Sequence, residues 1–220
     1  MRKISFLFTV FCCTFLLSQK ISSQNNDYFF YENKGQIIDQ EGKANPDVKY
    51  LFLSQGLNVQ LRKNGFSYDV YEVKRTVNPN SSKFRNDQSI DAKAYHYDEF
   101  LYENQFHRID IELINSNKDA KIIAEGRSSD YDNYYNIPNK PKGVTDVHRY
   151  KKVSYKNIYP NIDLIFFKPN DTLKPFEYNF IINPGGKISD IKMKFNGAPT
   201  SIKDNKLLMK VRFGEMFENI

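Results

Sequence analysis

The chain reads as an all-β protein, an antiparallel, β-sandwich-like arrangement of two packed sheets with little helix after its first segment. Three observations predict this. Apolar side chains recur at every second position in one segment after another, the spacing that puts alternate residues on opposite faces of a strand. The aromatic set is 15 Tyr and 18 Phe with no Trp, and these residues favour pleated, half-buried backbone. Proline and glycine punctuate the alternating segments, and no amphipathic helical stripe follows the N-terminal segment.

The first element is of another kind. Arg2 and Lys3 precede an apolar run from Ile4 to Leu17, and Ser18 to Gln24 form a polar exit. Basic, apolar and small polar parts in that order make an export signal. The run is 14 residues long, short of the ~20 that a membrane-crossing helix needs. Residues 1–23 are therefore expected to be a signal peptide cleaved after Ser23, with no membrane span in the product. Both cysteines, Cys12 and Cys13, lie inside the run. A mature chain without cysteine has no disulfide framework, thiol nucleophile or thiolate zinc site. The expected location is outside the cytoplasm: periplasm, cell surface or extracellular space.

The strands then follow. Val48–Leu53 is a candidate. Leu57, Val59 and Leu61 alternate with Asn58, Gln60 and Arg62. Asn64-Gly65 then suits a tight hairpin turn, and the implied register sets Leu61 opposite Tyr68 and Val59 opposite Val70. Ile109, Ile111 and Leu113 form the next alternation, and Lys121–Glu125, Tyr150–Tyr155 and Ile162–Phe167 are further candidates. Phe176, Tyr178 and Phe180 come next, then Ile191, Met193 and Phe195. Leu207, Met209 and Val211 close the series after a second hairpin at Asp204-Asn205, which pairs Ile202 with Leu207. Such alternation fits antiparallel sheets with one wet face. Thr76–Ser89 and Ser128–Thr145 read as long loops. Residues 24–220 read as a single β-rich domain, truncated at its C-terminal end, with a split near residues 76–105 as the alternative. The last strand calls for a neighbour, because a bare edge exposes backbone donors and acceptors. Phe213, Met216 and Phe217 in the tail should seek cover, either on a partner or by folding back onto the core.

Charge narrows the partners. The formal balance of +6 falls to +3 once Arg2, Lys3 and Lys20 leave with the signal, and the lysines are scattered among acids. Nucleic acid is not an expected partner. His96, His107 and His148 form no close pair at metal-ligand spacing, and no hydrolase elbow, metalloprotease helix motif, phosphate loop or dinucleotide fingerprint occurs. No catalytic, cofactor or metal residue is assigned, and no cofactor is expected. Asp130 and Asp132 could offer oxygens to calcium but lack the glycine turn and spacing of a calcium loop, so a solvated loop is the preferred reading. The sharper candidates are Tyr131, Tyr134 and Tyr135. Clustered tyrosines give flat amphipathic platforms for sugars or proteins, and the competing reading buries them in a strand.

Three stretches carry a family likeness: Phe30-Tyr31-Glu32-Asn33-Lys34-Gly35-Gln36, the run Tyr150 to Leu164 containing Tyr159-Pro160-Asn161, and Glu177 to Gly185 followed by Phe195-Asn196-Gly197-Ala198. In order and spacing they resemble the N-terminal β domain, of unassigned function, in large exported Bacteroidota surface proteins. Those proteins go on to SBBP-type β-propeller repeats or gliding-motility-associated C-terminal sorting domains. The resemblance implies a non-enzymatic structural or adhesive module of the cell surface. Its partners would be other domains of a larger protein, or an extracellular protein or glycan. A carbohydrate-binding module is the alternative, and a hydrolase with dispersed carboxylates the second. Asp171-Thr172-Leu173 is similar to the O-glycosylation acceptor pattern of such exported proteins.

Overall fold

The computed structural model describes residues 29–39, 41–79, 99–170 and 174–219. The signal segment, His96, most of the expected loop 76–89 and Asp171-Thr172-Leu173 lie outside the described residues. Within them the strands are β1 Phe30–Glu32, β2 Val48–Ser54, β3 Leu57–Arg62, β4 Gly65–Val77, β5 Phe100–Leu113, β6 Lys121–Tyr134, β7 Val144–Tyr159, β8 Ile162–Phe167, β9 Glu177–Ile182, β10 Met193–Asn196, β11 Thr200–Lys203, β12 Lys206–Val211 and β13 Gly214–Asn219. The described residues contain no α-helix, only a 3₁₀ turn at Ile188–Asp190. That turn takes the chain to β10, so Ile191 precedes the strand in which sequence alternation had placed it.

All-β and antiparallel both hold. Ten strands make one large curled sheet in the order β10-β5-β4-β3-β2-β1-β7-β8-β9, with β6 also paired to β7, and β11, β12 and β13 make a small second sheet. β7 is the joint. It carries β6 along one edge, while its other edge is shared by β1 at Arg149 and Tyr150 and by β8 from Lys152 to Tyr159. The curl brings β8 and β9 over β4: the Phe66 ring lies 5.2 Å from that of Phe166 and 5.1 Å from that of Tyr178. Phe176 fills the space between Phe30, Phe52 and Tyr68. Phe30, Phe52, Phe66, Tyr155 and Phe166 are buried. Each such burial contributes about 1.5–3 kcal/mol, and ring pairs add about 0.5–1.5 kcal/mol.

The first hairpin differs from expectation by two residues. Arg62 pairs with Gly65, Leu61 with Phe66 and Val59 with Tyr68, so the turn centres on Lys63-Asn64. An even shift keeps every side chain on its expected face, which is why the alternation alone does not detect it. Gly65 serves the next strand instead of the turn. A Cβ there would sit 2.1 Å from the Ile111 carbonyl oxygen, so the close approach of β5 requires glycine. The second hairpin forms as expected, with Ile202 opposite Leu207 and both Asp204 and Asn205 at positive φ, the conformation of a type I′ turn. The tail folds back: β13 pairs with β12 from Gly214 to Asn219, and Phe213 and Met216 pack on the core. β12 is therefore not a bare edge.

Two turns within the family-like stretches form one corner. Asn161, at positive φ, accepts from the Asn183 amide at 2.9 Å. A Cβ on Gly186 would fall 2.8 Å from the Asn161 carbonyl oxygen.

β4 and β5 pair from Gly65↔Glu112 to Val77↔Phe100, but β3 reaches only Val70 and β10 only Asp110. Residues 71–77 and 100–106 thus run on as a two-stranded ribbon with no third strand among the described residues.

Candidate functional site

The segment 128–145 is mostly strand, not loop. β6 continues to Tyr134 and pairs with β7 through irregularities between Arg127 and Tyr131 and between Asp132 and Tyr134. Such bulges re-aim side chains, and the three candidate tyrosines point to different neighbours. Tyr131, 54% exposed, meets the His148 ring edge-on at 5.8 Å. Tyr134 is half-buried. Burial, with the charge of Asp132, pushes its hydroxyl up from the usual phenol range. Tyr135, 70% exposed, lies across Gly143, where a Cβ would come within 2.9 Å of its ring. None of the three rings stacks on another. Tyr131 and Tyr134 lie within β6 and Tyr135 directly follows it.

Beneath them lies a polar cluster that joins β1, β6 and β7. His148 is buried. Its Nδ1 lies 3.0 Å from the Ser128 carbonyl oxygen and its Nε2 3.0 Å from Asp146 Oδ1. Its backbone N–H donates to Glu32 Oε1 at 2.8 Å, and the Tyr150 hydroxyl donates to Glu32 Oε2 at 3.2 Å. Lys34 Nζ donates to the Asp146 carbonyl oxygen at 2.5 Å and sits 3.2 Å from Asp146 Oδ2. Hydrogen bonds from Lys34 and His148 hold the Asp146 carboxyl below the usual carboxylate range. Ser128, His148 and Asp146 are the residue types of a hydrolytic triad, but their geometry is otherwise. The Ser128 hydroxyl donates to the Asp130 carbonyl oxygen at 2.6 Å and accepts from the Arg149 amide at 3.1 Å, so it pins the bulge and does not meet the imidazole. Asp130 and Asp132, the calcium candidates, both face the Arg149 guanidinium, which supplies the positive charge there. Among the described residues no group of three or more His, Cys, Asp or Glu side chains is placed to hold a metal ion.

A second network lies on the outer face of β3, β4 and β5. Arg108 donates to Asp110 at 3.0 Å, to Ser67 Oγ at 3.0 Å and to Gln60 Oε1 at 3.3 Å. Gln60 donates to Asp69 at 2.8 Å, and Arg62 lies 3.0 Å from Asp110. Burial pushes the Asp110 carboxyl up, but Ser67, Arg108 and Arg62 outweigh it and hold the group below its usual range. At Asp69 burial prevails, and the carboxyl is raised despite Arg108 and Gln60. These residues alternate with Val59, Leu61, Phe66, Tyr68, Ile109 and Ile111, so the sequence places them on one face. At the β5 edge beside this face, a groove of about 580 Å³ is lined by Phe106, Arg108, Gly197 and Arg212 among others. His107 Nε2 lies 2.9 Å from the Gly197 carbonyl oxygen, and His107 Nδ1 accepts from the Arg212 amide at 3.2 Å.

Glu218 was not legible as a structural residue. Its carboxylate, on β13, accepts from Tyr68 at 2.5 Å and from Tyr178 at 2.8 Å, tying the small sheet to the core. Burial pushes it above the usual carboxylate range despite both donors. An acid in a tail segment gives no sequence signal for such a partner.

The chain matches the domain of unknown function DUF7948 over residues 30–220 and belongs to that family. No curated protein and no solved structure matches it.

Proposed function

We propose that this domain is a non-enzymatic structural or adhesive module, working outside the cytoplasm as part of a larger bacterial surface protein of the Bacteroidota type that its three motifs resemble. The observation that carries the proposal is the employment of its reactive side chains. His148, Asp146 and Glu32 clamp β1 to β7. Asp163, bonded to Lys156 at 2.7 Å and to the Asn157 amide at 2.8 Å, holds the bulge of β7. Asp110 and Arg108 lace three strands on the outer face. Titratable groups spent on holding strands in place fit a scaffold. On this reading the curled sheet is sandwich-like, with β3–β5 and β8–β9 as its facing layers.

Expression of the full chain with its signal in a Bacteroidota host tests this. The product should begin near Gln24, lack Cys12 and Cys13, and be cleaved by protease added to intact cells. Retention in the cytoplasm, or a turnover abolished by one Asp or Glu substitution, overturns the proposal. The exposure of Tyr131 and Tyr135 favours a second reading, a glycan contact. A glycan array should then show binding by the wild type that Tyr131→Ala and Tyr135→Ala each weaken, and an array blank for the wild type rejects it.

A further inference from the structure

The ribbon carries its own apolar face, opposite to that of the base. In the base, Phe66, Tyr68, Ile109 and Ile111 point into the core. In the ribbon the apolar phase flips by one residue: Tyr71, Val73 and Val77 of β4 and Phe100, Tyr102 and Phe106 of β5 share the outer face, as the pairs Tyr71↔Phe106 and Val77↔Phe100 require. Tyr102 is 66% exposed and Phe106 48% exposed. A two-stranded ribbon is marginal in water, and three or more strands with an apolar face are needed for independent stability.

The two edges differ. The β4 edge carries Lys74, a cation of the kind that blocks edge-to-edge pairing, while Arg75 reaches across the ladder with its guanidinium 3.3 Å from the centre of the Phe100 ring. From Phe100 to Phe106 the β5 edge holds no Lys, Arg or Pro and a single acid, Glu103. We propose that this β5 edge pairs antiparallel with the same edge of a second copy of this chain, about a two-fold axis at Asn104. That register sets Asn104 against itself, Glu103 against Gln105 and Tyr102 against Phe106, and symmetry makes the last two contacts twice. Every pair joins residues of the same phase, so the aromatic faces of both ribbons lie on one side of a four-stranded sheet. Pairing runs over residues 102–106 and stops there. Beyond them Gly197 lies against β5, where an added Cβ would come 2.4 Å from the Arg108 carbonyl oxygen. The partner copy's Phe100 and Leu101 then arrive at the groove beside Phe106, Arg108 and Arg212. Like charge at the β4 edge disfavours the equivalent pairing there.

The test uses the full chain with Cys12→Ser and Cys13→Ser as background, so that each introduced cysteine is the only one in the sequence. Sedimentation velocity should show a concentration-dependent dimer. Asn104→Cys should oxidise to a disulfide-linked dimer, Lys74→Cys should stay monomeric under the same oxidation, and Asn104→Lys should weaken association at least about tenfold, by like charge at the axis. Circular dichroism of each variant verifies folding. A monomer at every concentration overturns the proposal. So does cross-linking through Lys74→Cys as readily as through Asn104→Cys.

Discussion

The two halves of the β4–β5 ladder share one backbone pairing and have opposite fates. At the base, Phe66, Tyr68, Ile109 and Ile111 are buried beneath β8, β9 and the small sheet. Past Val70 the same two strands keep their register, lose their neighbours, and turn their apolar side chains, Leu101 excepted, to the other face. The pairing of two strands does not decide what is core. The phase of the apolar residues and the presence of a covering layer decide it, and where the phase flips the protein shows a second apolar face.

Truncation should expose this contrast most strongly. Phe66→Ala at the base should cost about 3–5 kcal/mol, whereas Phe106→Ala or Tyr102→Ala in the ribbon should change the stability of the monomer by no more than about 0.5 kcal/mol. Urea unfolding of dilute protein measures both. Comparable losses at base and ribbon would break the distinction. Gly65→Ala should rank next, at about 1–3 kcal/mol, because the new methyl meets the Ile111 carbonyl. A neutral result would mean that β5 can move away, and that the base is less tightly set than its packing implies.

The smallest effect is electrostatic and sets the inner face against the outer one. Glu218, raised by burial, takes up its proton at a higher pH in the folded protein than in the unfolded chain. Its contribution therefore makes the fold more stable as pH falls through its folded value. Asp110 has the opposite sign: its stabilisation is present above the unfolded carboxylate range and is lost as pH falls through its lowered folded value. Glu218→Gln should shift neutral-pH stability by no more than about 1 kcal/mol while reducing the rise on mild acidification to the part that Asp69, also raised by burial, contributes. Urea midpoints measured from neutral to mildly acidic pH compare the two proteins, and an unchanged rise in the variant would assign it to another group.

The strands were legible because alternation reports a face directly. Leu57–Leu61, Ile109–Leu113 and Leu207–Val211 all lie in strands. The Asp204-Asn205 turn was legible for a related reason, since only a few residue types tolerate positive φ at adjacent positions. The Lys63-Asn64 turn was not, because glycine has two uses and Gly65 answers to its neighbour strand. The length of β6 was hidden by Pro138, Pro141 and the polar run Ser128–Asn133, whose strand character depends on pairing with β7. Of the candidate site, the sequence supplied the tyrosines. It did not supply the Glu32–His148–Asp146 clamp, in which Glu32 lies 116 residues from His148.

Hydrogen exchange along β4 and β5, followed as a function of protein concentration, tests the central claim most directly. In dilute solution the amides of Phe66 to Val70 and Ile109 to Leu113 should exchange only through global unfolding, and those of Tyr102 to Phe106 should exchange far faster. Raising the concentration should protect the ribbon amides and leave the base unchanged. Ribbon amides as protected as the base in dilute solution would contradict the account, because the ribbon would then be part of the core and not a face awaiting a partner.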